Sequence, residues 1–317
     1  MQTSFLSLAF NKIVGTTPGQ RFRRAAAVML LVAIPVAITT CHNDKKADND
    51  NTGATTQPQE DTPQEKFWED PNKLCLQGCP AGSPHSNKIV PRSIYVLSNN
   101  GDTKFADWVA YKITPQTIGK PNAKDSTQTR SWHRDPDLPK DETLSPKDYE
   151  GARDALGIDR GHQAPFSSLS ALPDWKDAND LSNITPQSID LNEGAWENLE
   201  RAERNLALKQ GFNVHSLTGT LYERTMKPLP HARLAHKIPS GYWKVLAVQQ
   251  GDEILVASFI MDQKLSRDAD FCASAVTVRV VESHAKLNLF PNMKQSAQDK
   301  IETAPGKLLN KLGCKSS

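Results

Sequence analysis

The most informative stretch of the sequence is Asp159-Arg160-Gly161-His162-Gln163-Ala164-Pro165. Two further stretches follow it, Asn183-Ile184-Thr185-Pro186-Gln187 and Asp190-Leu191-Asn192-Glu193-Gly194-Ala195-Trp196. An isolated histidine is usually a hydrogen-bonded structural residue. His162 differs because it stands beside an acid, an arginine and a glycine that lets the backbone turn or approach another group closely. This combination makes His162 a candidate catalytic residue.

A long amphipathic helix is predicted over residues 193–209, directly after these stretches. Its apolar positions recur at steps of three and four residues: Trp196, Leu199, Ala202 and Leu206. Gly211 lies just past the last of them, as expected at the C-terminal end of a helix. Asp190 or Asn192 can cap the N-terminal end, because their side chains accept hydrogen bonds from the free backbone amides there.

Strands are predicted on both sides of this helix. The candidate segments are rich in Val, Ile and aromatic residues: 92–98, 108–113, 214–220, 242–249, 254–261 and 276–281. Strands that flank one strong helix, without regular alternation of strand and helix, favour an α+β class over a parallel α/β sheet. We therefore expect a mixed layered fold with an antiparallel sheet.

The composition limits the possible classes of protein. The chain has 317 residues, of which 38% are hydrophobic and 23% are charged, so it can bury a large core. These values exclude a collagen, a fully disordered chain, a coiled coil and a multi-pass membrane protein. The formal net charge of +2 is unevenly distributed, with +4 in residues 1–40, −3 in residues 41–66 and +1 in residues 67–317.

The first 40 residues have the pattern of an export signal. Four cations precede an apolar run over residues 25–38, and no acidic residue occurs among them: Lys12, Arg21, Arg23 and Arg24. The apolar run is shorter than the roughly 20 residues of a membrane-spanning helix, and Pro35 interrupts it. We expect export out of the cytoplasm, followed by a disordered polar tether over residues 41–66.

Two kinds of processing are compatible with this segment. Ile38-Thr39-Thr40-Cys41 looks like a lipobox, in which Cys41 becomes the lipidated first residue of a bacterial lipoprotein, although Thr40 departs from the usual small residue. Ordinary cleavage nearby would instead release a secreted or periplasmic protein. The expected location is therefore outside the cytoplasm, either free or lipid-anchored at the cell envelope.

Five cysteines occur in the chain: Cys41, Cys75, Cys79, Cys272 and Cys314. The last four form an even set, which suits disulfide bonds in an exported protein. A Cys75–Cys79 bond would close a small loop and leave Cys272 to join Cys314, although three pairings are possible by count. Zinc binding is the competing interpretation, but no Cys-x-x-Cys pair supports it. Lipid attachment would account for the odd Cys41.

The stretches around His162 resemble the DNA/RNA non-specific endonucleases with a His-Me (ββα-metal) finger, whose hallmark is Asp-Arg-Gly-His, and most of all the Serratia-type extracellular members. The resemblance extends from about Cys75 to Cys314, within a predicted domain over residues 67–317. Two other stretches contribute to it: Lys104-Phe105-Ala106-Asp107-Trp108-Val109-Ala110-Tyr111 and Thr218-Gly219-Thr220-Leu221-Tyr222-Glu223-Arg224. It implies hydrolysis of single- and double-stranded DNA and RNA to 5′-phosphate products.

The resemblance assigns the general base to His162 and the metal ligand to Asn192. A histidine can be neutral at physiological pH and accept a proton from water. Magnesium prefers oxygen ligands and keeps several waters, so one amide oxygen can suffice. We expect one Mg²⁺ per active site, with Mn²⁺ as a substitute. A helix cap is the structural alternative for Asn192.

Glu200 and Arg204 are expected on the same flank of the helix as Asn192, at about 100° per residue. An ordinary salt bridge between residues four apart is the alternative interpretation of this pair. The resemblance instead implies that Glu200 holds water on the metal and that Arg204 binds phosphate. It also assigns stabilisation of the transition-state charge to Arg130, whose planar guanidinium presents several donors to phosphate oxygens.

Supporting roles are implied for Asn183, Asp159 and Arg160, the last two by fixing His162 and its loop. Related nucleases can be homodimers, so a homodimer is one expected assembly. Two alternatives to an active enzyme remain at this stage. The chain could be a nucleic-acid-binding lipoprotein with vestigial catalysis, or a structural surface protein in which the histidine and the helix are scaffold.

Overall fold

The computed structural model describes residues 73–119 and 131–315. The predicted export segment, the tether with Cys41, and Arg130 lie outside the described residues. No helix among the described residues has the length and apolar character needed to cross a membrane. Both expected disulfide bonds are formed, Cys75–Cys79 and Cys272–Cys314.

The larger sheet has seven antiparallel strands in the order β1-β2-β3-β6-β7-β8-β9. Its strands are β1 Lys88–Pro91, β2 Tyr95–Asn100, β3 Phe105–Ile113, β6 Val214–Leu221, β7 Gly241–Gln250, β8 Glu253–Asp262 and β9 Ala275–Val276. Five of the six predicted strands are confirmed, with the first beginning at Tyr95 rather than at residue 92. The antiparallel α+β prediction is also confirmed.

The smaller sheet is a pair of antiparallel strands, β4 (Ile158–His162) and β5 (Ile184–Ser188). Close packing explains why the Asp-Arg-Gly-His stretch has a glycine. A Cβ atom at position 161 would lie only 2.3 Å from Gln187 Oε1. Two strands followed by a helix form the expected ββα unit, since three consecutive helical segments continue directly from β5: α3 (Ile189–Leu191), a π-helical turn (Asn192–Trp196) and α4 (Glu197–Gln210).

The beginning of this helical segment differs from the prediction. Ser188 is the cap, since its hydroxyl accepts a hydrogen bond from the backbone amide of Leu191 at 3.3 Å. Asp190 and Asn192 therefore lie inside the segment, and neither of them caps it. The segment breaks at Gly194, whose φ of −116° and ψ of −113° are not helical. The predicted C-terminal glycine is confirmed, because Gly211 ends α4 with φ of +72°.

The helices cover both faces of the large sheet. Adjacent residues of a strand point to opposite faces, so Val109 of β3 belongs to the same buried cluster as Leu199 of α4, whereas Trp108 shares a second cluster with Val278 on the other face. The remaining helices are α1 Ala152–Leu156, α2 Phe166–Leu169, α5 Val278–Ala285 and α6 Gln295–Glu302. Short 3₁₀ turns occupy Pro146–Tyr149, Trp175–Asn179, Leu181–Asn183, Phe271–Ser274 and Leu309–Leu312.

The predicted strand over residues 276–281 is wrong. The chain forms only the two residues of β9 there and then enters α5. The hydroxyl of Thr277 accepts a hydrogen bond from the amide of Val280 at 3.4 Å and begins the helix. Val278 and Val281 are both buried, and their spacing of three places them on one helical face. Burial of that face overrides the strand preference of valine.

Candidate active site

An open cleft of about 590 Å³ lies over the ββα unit. Six of the predicted site residues line it: Asp159, Arg160, His162, Asn192, Glu200 and Arg204. Asn183 is fully buried beneath this surface, and Arg130 lies outside the described residues. The structure therefore gathers around one cavity a set of residues that span more than forty positions in the sequence.

His162 ends strand β4 and is oriented by a residue that the sequence did not reveal. Its Nε2 donates a hydrogen bond to Asn179 Oδ1 at 3.1 Å. In the neutral imidazole this contact places the proton-accepting lone pair on Nδ1. The ring also packs against Trp132, with 5.3 Å between ring centroids. Asn179 could not be recognised, because nothing in its local sequence marks it as a partner of the histidine.

Asn183 fastens the chain that follows the histidine. Its Oδ1 accepts a hydrogen bond from the amide of Ala164 at 2.8 Å, and its Nδ2 donates to the carbonyls of Ala164 and Ala178 at 3.0 and 2.9 Å. The side chain thus uses its acceptor and both donors on backbone groups. It joins the segment after His162 to the turn that carries Asn179.

Asn192 is oriented by Asp159, which accepts a hydrogen bond from its Nδ2 at 3.2 Å. The carboxylate of Asp159 also pairs with Arg153. The side-chain contacts of Asp159 are thus with Asn192 and Arg153, and its expected support of the His162 loop stays a prediction. Because the amide nitrogen of Asn192 is held on Asp159, the amide oxygen is the atom available to a ligand.

The donor set of the cleft fits a hard cation that keeps most of its water. Among the described residues no group of three His, Cys, Asp or Glu side chains is arranged to hold a metal ion. Asn192, whose amide oxygen is the atom left by the hydrogen bond to Asp159, lines the open cavity together with Glu200. This is the environment expected for Mg²⁺, which binds few protein oxygens directly and dehydrates reluctantly.

Arg160 lies between two aromatic rings. Its guanidinium carbon is 5.7 Å from the ring centre of Trp132 and 5.3 Å from that of Tyr149, distances at which a cation is attracted to the ring faces. Its Nη2 donates to the carbonyl of Pro146 at 3.1 Å. Arg160 therefore connects strand β4 to the turn Pro146–Tyr149 and to the ring that packs on His162.

Glu200 lies over a buried group of charges. Lys244 in β7 is fully buried, and its Nζ lies 3.9 Å from Glu200 Oε1 and 3.5 Å from Glu203 Oε2. The same ammonium donates a hydrogen bond to the hydroxyl of Tyr111 at 2.7 Å. Burial raises the pKa of Glu200 to about 7, Lys244 opposes this rise, and Glu203 adds to it. A lysine inside an otherwise apolar strand was the sequence signal for this group.

Arg204 does not form the salt bridge with Glu200 that was the alternative interpretation. That pair is absent from the ion pairs found within residues 73–119 and 131–315. The Nη1 atom of Arg204 instead donates to the hydroxyl of Ser167 at 3.0 Å, and both residues line the cleft. The guanidinium therefore lies at the cleft surface, where a phosphate oxygen could replace the serine hydroxyl as its acceptor.

A family model described as "DNA/RNA non-specific endonuclease" matches residues 70–296. A nuclease of Serratia marcescens is 44% identical over 243 residues, which cover 76% of this chain and 89% of that protein. The mitochondrial endonuclease G of Bos taurus is 29% identical over 190 residues, covering 57% of this chain and 61% of that protein.

The fold also matches a solved structure. It is the crystal structure of the EndoG/EndoGI complex, which was described for the mechanism of EndoG inhibition. The TM-score is 0.59. The superposition covers 71% of this chain and 93% of the other, at 23% sequence identity. This match concerns the fold alone, and it agrees with the mixed architecture and the ββα unit described above.

Proposed function

Since the chain belongs to the family of DNA/RNA non-specific endonucleases, we propose that it is an exported, Mg²⁺-dependent nuclease. It hydrolyses phosphodiester bonds of single- and double-stranded DNA and RNA and leaves 5′-phosphate ends. The observation that carries this proposal is the meeting of His162, Asn192 and Glu200 in one open cleft. These residues provide a proton acceptor, a neutral oxygen ligand and a carboxylate.

His162 acts as the general base. Asn179 holds Nε2, so Nδ1 removes the proton from the attacking water. The contact with Asn179 also fixes the ring plane, and Trp132 limits its rotation from one side. Fixing the base before the substrate arrives lowers the entropic cost of reaching the reactive geometry.

Asn192 holds the metal through its amide oxygen, with its orientation set by Asp159. Mg²⁺ held there would supply positive charge that offsets the negative charge on the phosphate oxygens and on the departing 3′ oxygen. Glu200 accepts hydrogen bonds from water in the cleft and so orients the solvent around the site. The raised pKa of Glu200, about 7, makes its ionised fraction sensitive to pH near neutrality.

Arginine side chains bind the phosphate. Arg204 lies at the cleft surface and exchanges the hydroxyl of Ser167 for a phosphate oxygen. Arg130 adds a second guanidinium that stabilises the negative charge developing in the transition state. The domain over residues 67–317 carries a net charge of only +1. Placed arginines and the cation therefore contribute more to phosphate binding than a general basic field.

The nuclease is exported through its N-terminal segment, residues 1–40. The cations ahead of an apolar run support this proposal, and so do two disulfide bonds, which persist in oxidising compartments. Cleavage before a lipidated Cys41 would anchor the enzyme to the envelope, whereas ordinary cleavage would release it. The mass of the mature N-terminal peptide separates the two outcomes. The homodimer stays a prediction, and the molar mass in solution tests it.

The decisive experiment compares the mature protein with His162→Ala on circular DNA and on RNA, with Mg²⁺ or with EDTA. We expect the unmodified protein to cut both substrates only with Mg²⁺, and His162→Ala to lose at least about a hundredfold in rate. His85→Ala is the matched control, since His85 is exposed and lies outside the cleft. Full cutting by His162→Ala would refute the base, and cutting in EDTA would refute the metal.

A further inference from the structure

Two partly exposed aromatic side chains, Phe166 and Trp175, pack on each other beside the cleft. Their ring centroids are 5.3 Å apart and the ring planes meet at 82°, an edge-to-face arrangement. Neither residue belongs to any of the three hydrophobic clusters formed by the described residues. Most large aromatic side chains in this part of the chain are buried in those clusters. The core of the protein therefore gives no reason for this pair.

The pair is attached to the catalytic groups by short segments. Phe166 lines the cleft and begins the one-turn helix α2, four residues after His162. The residue after it, Ser167, accepts the hydrogen bond from Arg204. Trp175 begins the 3₁₀ turn that ends at Asn179, the partner of the His162 ring. A group that touches these rings would consequently lie close to the phosphate held by Arg204.

A cation completes the arrangement. Lys176 is exposed, and its Nζ lies 5.8 Å from the ring centre of Trp175. Partly exposed aromatic rings with neighbouring cations are what proteins use to bind unpaired nucleic acid, because bases stack on the rings while the cation attracts the backbone. Every base has a flat π face, so stacking of this kind tolerates any sequence, as a non-specific nuclease requires.

The other aromatic rings of the cleft are already occupied. Trp132 and Tyr149 enclose the guanidinium of Arg160, and Trp132 also packs on His162. Tyr149 belongs to the buried cluster that includes Phe105 and Ile158, and Trp132 packs against that cluster. Phe166 and Trp175 are the rings of this region that remain for a ligand.

We propose that Phe166 and Trp175 form a stacking site for an unpaired nucleobase of the nucleotide next to the scissile phosphate. This inference rests on the proposed nuclease function and adds the substrate feature that the cleft recognises. A base that is already unpaired enters the site directly, whereas a paired base must first leave its helix. The stacking site therefore favours single-stranded segments over a perfect duplex.

The test uses single-stranded oligonucleotides that carry one abasic position, moved stepwise across a fixed cleavage site, and a matching perfect duplex. For Phe166→Ala we expect KM on the intact single strand to rise about tenfold, with kcat within about twofold. The abasic position next to the cleaved bond should raise KM for the unmodified enzyme by a similar factor and have no further effect on Phe166→Ala. Phe166→Trp should restore the low KM.

Phe212→Ala is the matched control. Phe212 is also partly exposed and has a lysine over its ring, with Lys311 Nζ at 5.2 Å, but it lies outside the cleft. Thermal unfolding of both variants separates misfolding from a loss of binding. An unmodified enzyme that cuts nothing would refute the proposed function itself. Normal cutting with equal KM values for Phe166→Ala, Phe212→Ala and the unmodified enzyme would refute only the stacking site.

Discussion

Asn192 and Glu200 lie on one helical segment, before and after its break at Gly194, and their surroundings differ. Asn192 is flanked by charges at the protein surface, where Arg153 pairs with Asp159 and with Glu193, and Glu193 pairs with Arg267. The side chains of the two arginines are more than half exposed, at 56% and 53%. Glu200 instead faces Lys244 and Glu203, whose side chains have no exposure at all.

The difference shows two ways of holding a polar group in an active site. Water and salt screen the surface pairs around Asn192, so each of them contributes little and can rearrange. The buried charges near Glu200 are shielded from water, so removal of one partner leaves another charge uncompensated in a medium of low polarity. We therefore expect substitutions near Glu200 to change stability more than substitutions near Asn192.

The largest effect is expected from Lys244→Met. It leaves Glu203 buried without its cation, and we expect the free energy of unfolding to fall by about 3–5 kcal/mol in urea titrations. The double variant Lys244→Met with Glu203→Gln removes both charges and should recover most of the stability. Its nuclease activity should stay low, because Glu200 still lacks the neighbouring ammonium. A loss below about 1 kcal/mol in the single variant would contradict the buried pair.

The next largest effect is expected in how the free energy of unfolding depends on pH through Glu200. Burial raises its pKa in the folded protein from 4.5 to about 7, so between these values the folded state binds more protons than the unfolded state. The free energy of unfolding should therefore decrease as pH rises through this window, by about 3 kcal/mol for this group. The free energy of unfolding of Glu200→Gln should not show this decrease, because glutamine does not ionise.

The measurement is urea unfolding in EDTA at several pH values from below 5 to 8. Asp180 also has a pKa raised to about 7, chiefly by burial, but it is present in both proteins. The difference between the unmodified protein and Glu200→Gln therefore isolates Glu200. Parallel stability curves would show that Glu200 ionises as an ordinary surface carboxylate.

A smaller effect, on the Mg²⁺ requirement, is expected from Asp159→Ala in the region around Asn192. The amide of Asn192 then loses the acceptor that orients it, and residues that orient a metal ligand typically contribute about 10–100-fold to metal affinity or activity. We expect the Mg²⁺ concentration for half-maximal cutting to rise by such a factor, with little change in stability. Arg153→Ala is the control, since it removes the charge partner and keeps the carboxylate. An unchanged Mg²⁺ requirement in Asp159→Ala would contradict the assignment.

The smallest effect is expected from Arg267→Ala. It removes the exposed pairing with Glu193, which should contribute less than about 1 kcal/mol to the free energy of unfolding. The difference from the unmodified protein should shrink further at about 1 M salt, where charges are screened within a few ångströms. A salt-independent loss would mean that Arg267 acts through packing rather than charge.

The sequence predicted the parts of the site that are close together along the chain. His162, Asn192 and Glu200 belong to one strand-strand-helix unit, so a short motif identifies them and their approximate orientation. Asn179 and Lys244 were missed, because Asn179 reaches the histidine through a turn and Lys244 approaches from a strand of the other sheet. Both contacts depend on tertiary packing: nothing near Asn179 marks it, and the lysine inside an apolar strand marks Lys244 as unusual without identifying its partners.

The same distinction explains the errors in secondary structure. The capping residue was placed at Asp190 or Asn192, although Ser188 begins the segment, because the predicted helix omitted its first turns. The valine-rich run at 276–281 has an intrinsic preference for strands, and burial of Val278 and Val281 on one face imposed a helix. Five of the seven strands of the large sheet were identified because most of them are rich in Val, Ile and aromatic residues.

The break at Gly194 sets how the two parts of the helical segment are rotated relative to each other. The dihedral angles of Gly194 are not helical, so the two parts of the segment do not continue as one regular helix. Asn192 lies before this step and Glu200 after it. Deleting one residue, such as Ala195, would turn the first part by about 100° against the second. The backbone of Arg267 leaves no space for a side chain at position 194, so a larger residue there would have to displace one of the two segments. The relative orientation of Asn192 and Glu200 thus depends on the break at Gly194.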